Sequence, residues 1–65
     1  MTLKSFISIF ERNGMHVLVK TKTTTIDDCF KDEVTWLDDK YLNAEVISAD
    51  IDDNGKLFII IEETK

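Results

Sequence analysis

The residues best spaced for chemistry run Asp50-Ile51-Asp52-Asp53-Asn54-Gly55-Lys56-Leu57. Calcium takes oxygen ligands from alternate positions of a loop that turns sharply at a glycine. Asp50, Asp52 and Asn54 ahead of Gly55 match the first half of such an EF-hand loop. Its twelfth position must supply a bidentate Glu, but here it is Ile61, with Glu62 one place late. The strongest ligand is missing, so weak calcium binding at Asp50, Asp52 and Asn54 stands only as a distant alternative. A hairpin with an acidic turn accounts for the same residues.

Cys29 and His16 are the one thiol and the one imidazole, and such a pair can act as nucleophile and base. Nothing around either supports that role. Cys29 falls on an apolar stripe, where a thiol is a small buried hydrophobe. A lone Cys forms no internal disulfide, and one Cys with one His makes no zinc site. The carboxylates lie in solvated runs, and Gly14 and Gly55 stand too far apart to cradle a phosphate. The reading is therefore not an enzyme, with no catalytic residue, no metal and no cofactor.

Charge is the next signal. The 65 residues carry 13 Asp and Glu against 8 Lys and Arg, a formal charge of −5. Residues 1–24 hold a net +3 and residues 25–65 a net −8. The acidic part repels nucleic acid and seeks basic partners. Lys20 and Lys22 are too few to offset it, and they suit the protection of an edge strand. Asp27, Asp28, Asp32, Glu33, Asp38 and Asp39 form a candidate acidic interaction face. On a helix, Asp28 and Asp32 would lie about 6 Å apart along the axis, near the phosphate spacing of a nucleic-acid strand. Such a face could imitate DNA toward a basic protein. A solvated acidic surface that keeps a small protein in solution is the plainer reading.

These residues need elements to position them. Asn54-Gly55 marks a hairpin. A three-residue loop with Gly55 in the left-handed conformation pairs Ile51 with Leu57, Ala49 with Ile59 and Ile47 with Ile61, all on one face. Strands are expected at 44–52 and 56–63, because the buried face sets register. Alternating Met15, Val17 and Val19, followed by β-branched residues, predict a strand at 15–24. Ile26, Phe30, Val34, Leu37 and Tyr41 recur at helical spacing, so a helix is expected at 27–42. Leu3, Phe6, Ile7 and Phe10 predict an N-terminal helix at 3–13, with Asn13-Gly14 ending it. The fold class is α+β: a three-stranded antiparallel sheet packed by helices, as a single domain over 1–65. The expected core is Ile7, Phe10, Val17, Val19, Ile26, Phe30, Leu37, Ile47, Ile51, Leu57, Ile59 and Ile61.

In that register Phe58 and Ile60 point away from the core, and Leu18 joins them. Leu18, Phe58 and Ile60 form a candidate apolar contact patch. A second copy packed by two-fold symmetry would cover it; residues 1–12 folding over it are the other possibility. So small a domain is marginal, and without disulfide or metal it depends on tight packing or oligomerisation.

No stretch approaches the ~20 apolar residues of a membrane span, and MTLKSFISIF is unlike a signal peptide. The cytoplasm is the expected location. In length, composition and its Asp-Asn-Gly hairpin, the chain resembles the short acidic proteins of phages and prophages of Gram-positive bacteria. That resemblance implies an accessory, inhibitory or host-takeover role, in the host cytoplasm. An alternative strand–strand–helix–strand–strand order would be similar in topology to a small β-grasp, a fold with many functions. The reading is a non-catalytic protein-interaction module whose partner is a basic protein or a second copy, with neither direct nucleic-acid nor membrane binding expected. The alternative is a homo-oligomeric phage structural or assembly protein.

Overall fold

The computed structural model describes residues 1–11 and 14–63. The chain opens with helix α1 (Leu3–Ser8), followed by strands β1 (His16–Lys20) and β2 (Thr25–Phe30). A 3₁₀-helix (Lys31–Trp36) and the short helix α2 (Asp39–Leu42) lead to strands β3 (Val46–Ile51) and β4 (Leu57–Ile61). The sheet order is β2-β1-β4-β3. The outer pairs are antiparallel, and the central pair β1–β4 is parallel. The class is α+β, as expected, but the sheet has four strands and is mixed. After α1, the order is strand–strand–helical segment–strand–strand, but the first of these strands begins at His16, and Leu3–Ser8 is helical rather than the opening strand of the alternative order.

The expected helix at 27–42 does not form as one element. Its first quarter, 27–30, belongs to the edge strand β2, and only 39–42 is α-helical. The apolar spacing of four from Ile26 to Phe30 fits a strand of period two as well as a helix of period 3.6. The chain reverses earlier than expected, because Thr21 builds a turn. Its hydroxyl accepts from the amides of Thr23 (3.3 Å) and Thr24 (3.1 Å), and its own amide donates to the Thr24 carbonyl (2.8 Å). Hydroxyls that satisfy the backbone in this way compete with a continued strand. Of the predicted strand at 15–24, only His16–Lys20 is strand; residues 21–24 are the turn into β2.

Helix α1 is shorter than the 3–13 predicted. Thr2 caps it by accepting from Ser5 N–H (3.2 Å). Ile9 and Phe10 then donate to carbonyls three residues back, so the last turn tightens and the helix ends. Asn13 lies outside the described residues.

The core is a single layer between one sheet face and the helical segments. Val17 and Val19 of β1 and Leu57, Ile59 and Ile61 of β4 are buried with Leu3, Ile7, Cys29, Val34 and Leu42. The two central strands supply the sheet's largest share, because only they have neighbours on both sides. Three residues expected in the core are not there. Phe30 is exposed beside His16, at 5.3 Å between ring centroids. Ile51 faces Leu57 as expected but overhangs the edge, 51% exposed. Ile47 is displaced by a bulge: Val46 pairs with Ile61 and Ser48 with Ile60, leaving Ile47 as the extra residue. A second bulge on β2 leaves Ile26 without a partner, between Thr25 opposite Lys20 and Asp27 opposite Val19. Bulges on both outer strands bend and guard the edges.

Candidate functional site

Both helical layers pack on one face of the sheet. Leu3 and Ile7 of α1 join the same cluster as Val34 and Leu42, so residues 1–11 do not cover the opposite face. That open face follows from strand alternation. On β1 it shows His16, Leu18 and Lys20, and Lys56, just before β4, lies beside them with Phe58 and Ile60 of β4. Leu18 pairs with Phe58, and Lys20 with Ile60. Leu18, Phe58 and Ile60, the patch expected from sequence, therefore form one continuous stripe, half-buried by its neighbours.

One end of the stripe is polar. Asp28 of the edge strand pairs with Leu18, while His16 pairs with Phe30. Asp28 Oδ2 accepts from Lys56 Nζ at 3.1 Å, and His16 Nε2 lies 2.5 Å from Asp28 Oδ1. The Lys56 ammonium donating to Asp28 holds its carboxyl below the ordinary carboxylate range; burial pushes back upward, and the His16 hydrogen bond adds a smaller downward effect. Lys56 Nζ also stands 5.7 Å from the centre of the Phe58 ring, within cation–π reach. Three strands thus bind Asp28, His16 and Lys56 into a rim for the apolar stripe.

The six carboxylates of the expected acidic face do not share one helix. Asp27 and Asp28 lie on β2, where successive side chains point to opposite sides of the sheet. Asp32 and Glu33 lie in the 3₁₀-helix, and Glu33 Oε1 accepts from Phe30 N–H (3.1 Å), closing the strand-to-helix corner. Asp38 and Asp39 start α2. The 6 Å helical repeat of Asp28 and Asp32 is therefore absent. Asp32, Asp38 and Asp39 remain exposed.

The acidic hairpin takes the expected form. Gly55 has φ +82°, in the left-handed region. Asp52 Oδ1 accepts from the amides of Asn54 and Lys56, each at 2.9 Å, and Asp50 Oδ1 accepts from Ile51 N–H at 2.9 Å. The carboxylates named for calcium are bonded to the turn's own backbone rather than turned toward a common point. No group of three His, Cys, Asp or Glu among the described residues could hold a metal ion.

Cys29 pairs with Val17 on the core face, and His16 is one residue along on the other face. The sheet stands between thiol and imidazole. Burial pushes the Cys29 thiol up to about 11, and the neighbouring Asp27 and Glu33 carboxylates add to the shift. A thiol held protonated is a poor nucleophile.

Two exposed features escaped the sequence reading. Trp36, at the end of the 3₁₀-helix, is 78% exposed; its aromatic type and β-prone neighbours gave no sign of that. A groove also runs between α1 and the β3 edge, lined by Phe6, Phe10, Ala49, Asp50, Ile51 and Leu57.

The chain matches no protein-family model, and no curated protein or solved structure matches it. No helix among the described residues is long and apolar enough to cross a membrane.

Proposed function

We propose that this protein is a non-catalytic interaction module whose main contact surface is the open face of its sheet. The observation that supports this is the Leu18–Phe58–Ile60 stripe, which both helical layers leave uncovered. Apolar side chains left in water forgo roughly 1.5–3 kcal/mol each when fully exposed. A partner that removes the rest of this stripe from water recovers part of that. The rim of Asp28, Lys56 and His16 offers charges of both signs, which orient a partner more than they add affinity. An accessory or inhibitory role of the phage type is the setting in which such a module would act.

The size of the face bears on the partner. Four strands spaced ~4.8 Å apart and about five residues long give a face near 19 by 17 Å, roughly 300 Å² in plan. A stable interface takes about 800 Å² per side. Two sheets stacked face to face would therefore associate weakly, and a larger partner overhanging the rim would bind more tightly. The homo-oligomer remains the second reading, favoured by the self-complementary mixture of Lys56 and Asp28 on the rim.

The test is the double variant Phe58→Ser with Ile60→Thr. Because both residues lie on the open face and not in the core layer, the variant should fold, with the parent's far-ultraviolet circular dichroism. It should lose any sedimentation or amide-shift change that the parent shows with rising concentration, and any binding to a partner captured from the native host. Unfolding of the double variant would place these residues in the core and end this reading.

A further inference from the structure

The second surface is the outer edge of β3. In an antiparallel ladder, successive residues point their backbone groups alternately toward the partner strand and away from it. Asp52 N–H donates to the Lys56 carbonyl (3.0 Å), so Asp52, and with it Asp50 and Ser48, face β4. The backbone groups of Ile51 and Ala49 therefore point outward. Ile51 N–H confirms this direction, since its acceptor is the Asp50 side chain and not β4.

The chain's own N-terminus already pairs along this edge. Thr2 forms an antiparallel bridge with Glu45, and Val46 N–H donates to the Met1 carbonyl (2.9 Å). The Met1 ammonium then closes on Glu45 Oε2 at 2.6 Å. Met1 and Thr2 thus meet this edge at Glu45 and Val46, in an isolated bridge outside the four strands.

Beyond that point the edge runs beside an apolar groove. Phe6 of α1 and Phe10, two residues beyond its end, meet edge to face, 5.4 Å between centroids. With Ala49, Asp50, Ile51 and Leu57 they line a groove of about 320 Å³. On the opposite side of the strand the exposed side chain is Asp50, and Asp52 and Asp53 follow at the hairpin tip. The edge therefore offers the outward backbone groups of Ala49 and the Ile51 carbonyl, with Ile51 N–H held by Asp50 Oδ1 until an added strand replaces it, an apolar wall on one side and carboxylates on the other.

We infer that the β3 edge at Ala49–Ile51 accepts an extended, basic peptide segment of another protein as an added strand, antiparallel to β3. Alternate apolar side chains of that segment sit against Phe6, Phe10 and Ile51. The intervening Lys or Arg side chains lie beside Asp50. Main-chain hydrogen bonds supply affinity in this mode, and alternate side chains supply specificity. A second copy is the poorer occupant. Each copy carries −5, pairing centred on Asp50 sets that residue against its own equivalent, and like charges directly opposite destabilise a sheet. The bulge at Ile47 further limits edge-to-edge pairing.

The experiment titrates the isotope-labelled full chain with a seven-residue peptide of alternating Lys and Val, followed by amide spectra. The expected result is saturable shifts centred on Ala49, Ile51, Phe6 and Phe10. A peptide with Glu in place of Lys should bind at least tenfold more weakly, and so should the Lys peptide on the Asp50→Lys variant. The Phe58→Ser, Ile60→Thr variant should bind the Lys peptide as the parent does, which separates this surface from the open face. Equal binding of the Glu peptide, shifts centred on Leu18, Phe58 and Ile60, or no shift at millimolar peptide would each overturn the inference. So would shifts at Ala49 and Ile51 that grow with protein concentration alone, which would make the occupant a second copy.

Discussion

At the scale of single residues, the chemistry-bearing side chains are spent on local structure. Asp52 closes the hairpin, Glu33 closes a corner, and Asp28 is held by Lys56 and His16. Cys29 is the residue whose titration is coupled to folding. Its thiol moves from an ordinary 9.0 to about 11, first because of burial and then because Asp27 and Glu33 stand near it. Between those values the folded chain keeps a proton that the unfolded chain gives up. The stability tied to the thiol is whole below pH 9 and falls as the pH rises toward 11. Urea midpoints taken across this range should therefore fall more steeply for the parent than for Cys29→Ala. Parallel profiles would show that the thiol is not shielded as described.

At the scale of elements, the β3–β4 hairpin depends on one backbone conformation. Gly55 at φ +82° meets no atom within 4 Å of where a Cβ would stand, so space is not the constraint there. The left-handed conformation itself costs an L-residue about 1–2 kcal/mol. Gly55→Ala should lower stability by that amount in urea unfolding, with the sheet unchanged in amide spectra. A neutral result would mean that the turn relaxes to another type. The Thr21 turn has the same standing at the other hairpin: a hydroxyl, and not a glycine, reverses the chain.

At the scale of the whole molecule, a single thin core carries the fold. Ile59 is fully buried on the central strand β4, with β1 and β3 on its two sides. Truncating such a residue to Ala costs about 2–5 kcal/mol. At roughly 0.05–0.15 kcal/mol per residue, a chain of this length holds only about 3–10 kcal/mol in all. Ile59→Ala should lower Tm by about 8 °C or more, and at the upper end of that cost leave much of the chain unfolded at room temperature. Trp36→Ala, at a site 78% exposed, should stay within about 0.5 kcal/mol of the parent. A large loss at Trp36 would mean that its indole packs against the fold in solution.

The sequence by itself determined the class, the Asn54-Gly55 hairpin, the pairing of Ile51 with Leu57 and Ala49 with Ile59, and the outward stripe of Leu18, Phe58 and Ile60. Each is local or periodic: a turn type, a period of two, a face that must be buried. Tertiary structure alone decided the rest. Residues 25–30 became a strand because β1 offers them a ladder, and nothing in a spacing of four distinguishes that from a helix. Ile47 and Phe30 left the core because a bulge and an edge position, both set by neighbours, govern which side chains the helices reach. The helical spacing expected of Asp28 and Asp32 was lost for the same reason, since carboxylates one helical turn apart in sequence stack on one helix face only if the chain between them is helical.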